Sequence, residues 1–266
     1  MSVSKSQRAA LTGVYSLARK SGLLATRPGQ WLFSRTYYFY KRHLEDPFRP
    51  LAAQHPEFFQ GGHVLDIGAN IGYTSSVFAH SIDPAYKVYS FEPEAFNFCL
   101  LDRLAQSAKA GGRIVPVHAA VGDEDGSIQL WRNEGHHADH RVVTSHFREV
   151  TSVGASVQVP LLKIDTFAAQ QAASFPVRFI KVDVQGYELP VLKGMQRTLE
   201  SNPKAVLALE YAPDEIRELG FRPEDVLEWL AARNYRAYSM GGNGSVLPAD
   251  AHMAGTRPYI DLLFIR

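Results

Sequence analysis

The stretch Lys181-Val-Asp-Val-Gln-Gly-Tyr-Glu188 sets Asp183 and Glu188 on either side of Gly186, with Gln185 between them, directly after the hydrophobic run Arg178-Phe179-Ile180. Two carboxylates at a strand end could cap a helix, hold a metal or take a proton from a substrate. Asp183 is the candidate for the site edge. Glu188 reads equally well as a favourable charge in the first turn of a helix. Glu210, in Leu207-Ala-Leu-Glu-Tyr211, ends another apolar run and adds a third carboxylate. The polar loop from Asn133 to Phe147 carries His136, His137, Asp139, His140 and Arg141. His140 could act as a base near neutral pH. Asp139 with Asp183 and Glu210 could hold Mg²⁺, which prefers oxygen ligands. The spacing is not that of a zinc site, and the single cysteine cannot supply the usual thiolate set.

A second group of residues suits a nucleotide. Val64-Leu-Asp-Ile-Gly-Ala-Asn-Ile-Gly-Tyr-Thr-Ser75 follows a strand-like run and precedes a helix-like one. Gly68 and Gly72 permit a tight turn, and the helix start offers free N–H groups. The third glycine of the dinucleotide fingerprint is missing, since Tyr73 and its neighbours stand there. Asp66 ahead of the first glycine fits the D-x-G-x-x-x-G form that suits S-adenosylmethionine (SAM). Glu92, 26 residues after Asp66, ends the next strand. A carboxylate there can accept hydrogen bonds from both ribose hydroxyls. Ala119, Ala120 and Val121 would make a flat wall for an adenine ring.

These groups must be positioned by regular elements. Strand-like runs at 64–67, 87–91, 114–118, 177–182 and 205–209 alternate with helix-like segments at 73–80, 94–109, 188–199 and 223–233. Such alternation predicts an α/β sheet. Residues 235–239 and 259–265 read as closing strands joined by a Gly-, Pro- and Ala-rich return, which predicts an antiparallel last strand. The expected fold is therefore Rossmann-like: a mostly parallel seven-stranded sheet with a last antiparallel strand, flanked by helices. Residues 1–60 read as a helical N-terminal extension or lid, and residues 61–266 as the cofactor-binding domain. The aromatics Trp31-Leu32-Phe33 and Tyr37-Tyr38-Phe39-Tyr40 could pack on the core, form a lid or make a homo-oligomer surface.

Composition narrows the classes. The 266 residues are 45% hydrophobic, enough for one sizeable core. With 28 Lys and Arg against 27 Asp and Glu, the net charge of +1 gives no general pull toward nucleic acid or a membrane surface. No apolar run reaches the ~18 residues of a membrane span, and the N-terminus lacks the apolar stretch of a signal peptide. Cys99, the single cysteine, sits in an apolar run and reads as core. A reducing compartment and a cytoplasmic setting are expected.

Taken together, Val64–Ser75, Ser90-Phe-Glu-Pro-Glu-Ala-Phe-Asn-Phe98, Ala119–Trp131 and Phe179–Met195 resemble the FkbM-type methyltransferases, a branch of the class I SAM-dependent enzymes. The most specific element is the I-K-x-D-x-E-G-x-E-x-x-V-L-x-G pattern, in which this chain carries Gln185 in place of the middle Glu. The resemblance covers about residues 62–210. It implies O-methylation of a hydroxyl on a small molecule, sugar or natural product. It also implies a SAM pocket lined by Asp66, Gly68, Ala69, Asn70, Gly72, Tyr73, Thr74, Glu92, Pro93 and Asp183, with Ala120 and Val121 near adenine. The expected catalytic set is Asp183, His140 and Glu210. Two rivals use the same sheet: an NAD-type oxidoreductase, and a non-catalytic SAM-fold protein that binds a partner through its aromatic N-terminal region.

Overall fold

The computed structural model describes residues 21–133, 139–151, 154, 156–171, 174–249 and 259–266. Twelve strands are found among them: β1 His63–Ile67, β2 Val88–Phe91, β3 Ile114–Val117, β4 Ala120–Val121, β5 Gly126–Trp131, β6 Arg141–Val142, β7 Ser156–Leu162, β8 Val177–Val182, β9 Val206–Tyr211, β10 Arg236–Met240, β11 Val246–Pro248 and β12 Ile260–Ile265. The main sheet has the order β11-β10-β12-β9-β8-β1-β2-β3. Its centre is parallel, and β12 runs antiparallel to both β9 and β10. This is the expected α/β architecture with one addition. The return after β10 begins with Val246–Pro248, which pairs antiparallel with Tyr238–Met240 and makes an eighth, edge strand.

The central strands are buried on both faces because helices cover both. Val64, Leu65, Phe179, Ile180 and Leu207 are fully buried. The sheet thus has two core layers, one around Phe59, Phe78 and Phe179, the other around Leu65, Ile180 and Val191. A second, four-stranded sheet, β4-β7-β5-β6, stands beside it, with Gly126–Trp131 and Ser156–Leu162 as its long strands.

The helix expected across residues 188–199 is instead two, Glu188–Lys193 and Gln196–Ser201. An ideal Cβ on Gly194 would lie 1.8 Å from the Gly122 carbonyl oxygen, so the chain passes that loop with no side chain. Asp165 then accepts the N–H groups of Arg197 and Thr198 at 3.0 and 2.8 Å and starts the second helix. Cys99 also departs from expectation. The helix Ala95–Ala105 buries Asn97, Leu100 and Leu101, which leaves Cys99 on its exposed face.

Ahead of the sheet, the helix Arg27–Tyr40 starts on Thr26, whose hydroxyl accepts the Gly29 N–H at 3.2 Å. It continues into a π-helical turn, Lys41–Glu45, and then the helix Phe48–Gln54. Tyr38 donates to the Ile71 carbonyl at 2.7 Å, and Tyr73 donates to Asp46 at 2.7 Å. These two bonds tie the N-terminal segment to the glycine turn. No helix among the described residues is long and apolar enough to cross a membrane.

Candidate active site

Chain order reverses between β1 and β8, and open α/β sheets bind ligands outside the carboxyl ends of the strands at such a point. The turn after β1 carries Gly68, and the turn after β8 carries Asp183. The two touch: an ideal Cβ on Gly68, at φ 79°, would lie 1.8 Å from the Asp183 carbonyl oxygen. Only glycine fits there. The Asp183 N–H continues the β ladder onto the Ile67 carbonyl at 3.0 Å, so Asp183 is placed by sheet pairing and is no helix cap.

A cavity of about 360 Å³ opens over this edge. Of the expected cofactor residues, Gly68, Ala69, Asn70, Tyr73, Thr74, Glu92, Pro93, Ala120, Val121 and Asp183 line it, and so do His140 and Glu210. Two expected residues do not. Asp66 is fully buried behind the turn, where it accepts from Ser75 at 2.6 Å and faces Lys181 at 3.5 Å. Gly72 is turned toward Leu101, Leu104 and Tyr38. Asp66 thus supports the turn from behind and is corrected from wall to foundation. The reason is register: Asp66 pairs with Ser90 on one side and Lys181 on the other, all inside the sheet.

Glu92 is held by two backbone donors, Asn70 N–H at 2.8 Å on one oxygen and Glu94 N–H at 2.9 Å on the other. The side chain of Asn97, also on the cavity wall, hydrogen-bonds the same carboxyl. A carboxyl so placed on the cavity wall fits two adjacent hydroxyls, as on a ribose, and the flat apolar wall of Ala119, Ala120 and Val121 fits a purine. Burial, stronger than these hydrogen bonds, pushes the Glu92 carboxyl up to about 8.

At the far end, Lys181 Nζ lies 3.1 Å from Asp183 and donates to the Gly68 carbonyl at 3.2 Å. Gln185, at φ 54°, donates to Asp183 at 2.9 Å and to Glu210 at 3.1 Å. Burial works against the Asp183 charge, but Lys181, Lys41 and the bonds from Glu210 and Gln185 outweigh it and hold the carboxyl below its usual range. Burial, and then the Asp183 charge, hold Glu210 well above its own. Asp183 is therefore the ionised partner and Glu210 carries the proton. Glu188 plays neither part. It is buried, and one oxygen accepts the Gly186 and Val184 N–H groups at 3.1 and 3.3 Å, which fixes the turn around Asp183.

The loop residues separate. His140 lines the cavity, and its Nδ1 accepts the Asn133 N–H at 3.2 Å. With Nδ1 so engaged, the neutral ring carries its proton on Nε2. Asp139 turns to Arg141 at 2.8 Å and Asn133 at 2.8 Å. Arg141 in turn bridges to Glu215 at 3.5 Å and to Glu218. The expected Mg²⁺ site of Asp183, Glu210 and Asp139 does not form: Asp183 is engaged by an ammonium, Asp139 by a guanidinium. Among the described residues no group of three or more His, Cys, Asp and Glu side chains could hold a metal ion. His136 and His137 lie outside the described residues.

Sequence reasoning missed Lys181, Lys41 and Glu45. The π-helical turn brings Lys41 to the cavity, where it pairs with Glu45 at 3.0 Å. Lys181 did leave a signal, because it stands two residues before Asp183 and strand side chains two apart share a face.

Residues 66–237 match the model of the methyltransferase FkbM domain. The chain belongs to this family. Its FkbM domain is thus a SAM-dependent methyltransferase domain on a Rossmann-like sheet. The hexuronic acid methyltransferase AglP of Haloferax volcanii is 25% identical over 167 residues, which are 62% of this chain and 60% of that protein. The chain thus matches 60% of that relative's length. Among solved structures, the O-methyltransferase of Bacillus cereus in complex with SAH covers 96% of this chain and 97% of its own at 12% identity and a TM-score of 0.49. TomG of Streptomyces achromogenes, solved with SAM, covers 85% and 84% at 14% identity and a TM-score of 0.46.

The raised carboxyls of this FkbM domain predict how its stability varies with pH. Glu92 and Glu188 stand at about 8 in the fold against an ordinary value near 4.5, and burial is the first cause of both. A folded value above the unfolded one means stability that is complete below pH ~4.5 and is lost as pH rises toward 8, at up to ~1.4 kcal/mol per pH unit for each group. Glu215, at about 7, and Asp261, at about 6, act in the same direction. Urea unfolding of the ligand-free protein should show the free energy falling between pH 5 and pH 8. Glu188→Gln should flatten that fall. A free energy that is level or rising across this range would contradict the assignment.

Proposed function

We propose that the protein is a SAM-dependent O-methyltransferase acting on a hydroxyl of a small molecule or sugar-like unit. The observation that carries this reading is the placement of Asp183 and Glu210 on the wall of the same cavity that the Gly68 turn and Glu92 line. The sugar class is supported by the relative named for hexuronic acid.

The cofactor, when bound, supplies a methyl group already activated on a sulfonium. The chain has three further tasks. Glu92 and Asn70 hold the ribose end, while Pro93, Ala120 and Val121 take the adenine. Asp183, kept ionised by Lys181, accepts the proton of the acceptor hydroxyl. Glu210 gives Asp183 a hydrogen bond and orients it. The aromatics Phe33, Tyr37 and Tyr40 close the cavity from the N-terminal side and exclude water. Of the N-terminal extension, residues 21–60 act here as a cover on a catalytic domain of residues 61–266. No step is assigned to a metal.

Two measurements follow. Glu92→Gln replaces one carboxyl oxygen with an amide nitrogen that cannot accept and should weaken binding of S-adenosylhomocysteine about 10- to 100-fold, with the fold intact by circular dichroism; an unchanged affinity would remove Glu92 from the ribose site. Incubation with methyl-labelled SAM and a panel of glycosides should give a methyl ether on a sugar hydroxyl, read by mass spectrometry. Methylation of a uronate carboxylate alone would overturn the hydroxyl reading, since an ester needs no proton acceptor.

A further inference from the structure

The near-neutral charge of the chain hides an uneven distribution. Residues 1–44 hold eight Lys and Arg and no Asp or Glu, which leaves 20 of the 28 Lys and Arg against all 27 Asp and Glu in the remainder. Of these, Arg27, Arg35, Lys41 and Arg42 lie on the helix Arg27–Tyr40 and the turn after it. Arg27, Trp31, Arg35 and Phe39 follow one another at four-residue spacing and are exposed, and Arg42 and His43 continue the row. Trp31 is 61% and Phe39 67% exposed. Leu23, Leu32 and Leu44 are exposed beside them, so five of the eight large exposed hydrophobics among the described residues lie in this one segment. The Arg35 guanidinium stacks 5.0 Å from the Trp31 ring centroid. The opposite side of the helix faces the cavity through Gly29, Phe33 and Tyr37.

We propose that this face docks the protein on an anionic lipid surface. An interfacial helix needs Trp, Phe and Leu to enter the headgroup and acyl boundary, with Arg or Lys among them to meet anionic headgroups. Both are present, and the one acidic side chain of the turn, Glu45, is engaged by Lys41 at 3.0 Å. A nucleic acid would use the arginines but gives no place to Leu23, Leu32 and Leu44. A second copy would bring the Arg27, Arg35 and Arg42 rows of two chains against each other. Leu23, Leu32 and Thr36 belong both to this exposed face and to the cavity wall, so docking sets the cavity mouth at headgroup level.

The test is co-sedimentation of the full chain with vesicles of phosphatidylglycerol and phosphatidylcholine, against vesicles of phosphatidylcholine alone, at about 0.1 M salt. The anionic vesicles should carry the protein down, and binding should weaken as salt rises. Each Arg removed should lower partitioning roughly fivefold, so Arg27→Ala/Arg35→Ala/Arg42→Ala together lower it about a hundredfold. Trp31→Ala/Phe39→Ala should lower partitioning even at low salt. Neither variant alters a residue of the cavity wall, so both should bind S-adenosylhomocysteine like the parent. Equal sedimentation with both vesicle types, or none with either, overturns the proposal. So does unchanged partitioning of both variants, tighter binding to an RNA oligomer than to the anionic vesicles, or a dimer in light scattering that the Trp31/Phe39 variant dissolves.

Discussion

Asp183→Asn should lower turnover by about 10²–10⁴-fold while the affinity for S-adenosylhomocysteine should stay within a few-fold of the parent. The asymmetry follows from how the cluster divides its protons. Asp183 is the ionised member, held by Lys181 at 3.1 Å. The amide of Asn keeps a hydrogen-bonding oxygen but cannot take a proton. Glu210→Gln is the control. Glu210 already carries its proton, and a Gln amide donates from the same place, so turnover should fall by about tenfold or less. Steady-state rates of both variants, with calorimetric affinities beside them, decide the point. Equal losses in the two would mean that the pair acts as one unit and that the assignment of Asp183 as sole proton acceptor is wrong. An unchanged rate in Asp183→Asn would remove it from the chemistry.

The second large effect is on the fold. Gly68→Ala should cost at least ~3 kcal/mol and abolish S-adenosylhomocysteine binding, because the new methyl would sit 1.8 Å from the Asp183 carbonyl oxygen. Gly61→Ala separates the two components of that cost. Gly61 also has a positive φ, 82°, but an ideal Cβ there meets nothing within 4 Å. It should lose only the left-handed backbone penalty, ~1–2 kcal/mol. Denaturant unfolding of the two variants measures the difference. If both cost the same, the contact between the Gly68 turn and the strand end of Asp183 does not hold the two halves of the site together.

Much of this architecture could be read from the chain, because a parallel sheet writes itself plainly. Strands such as Val177–Val182 are mostly apolar, and the turn around Gly68 announces a ligand. The residues that escaped were those whose neighbours come from far away. Lys41 reaches the cavity through a π-helical turn that no local pattern marks, and about 140 residues separate it from Asp183. Asp66 carried the right motif but the wrong placement, since only the register with Ser90 and Lys181 shows that it points into the sheet. The His-rich loop looked chemical because of its composition. In the fold its charges answer each other, with Asp139 on Arg141 and Arg141 on Glu215 and Glu218. In the pattern Asp183, Gly186, Glu188, the first carboxylate lines the cavity and the second shapes its turn.

The central claim is that one cavity holds SAM between Glu92 and Asp183. Calorimetric titration of the ligand-free protein with S-adenosylhomocysteine, and separately with NAD⁺, tests it most directly. The account predicts saturable one-to-one binding of S-adenosylhomocysteine that Glu92→Gln weakens, and no binding of NAD⁺. Binding of NAD⁺ with none of S-adenosylhomocysteine would contradict it.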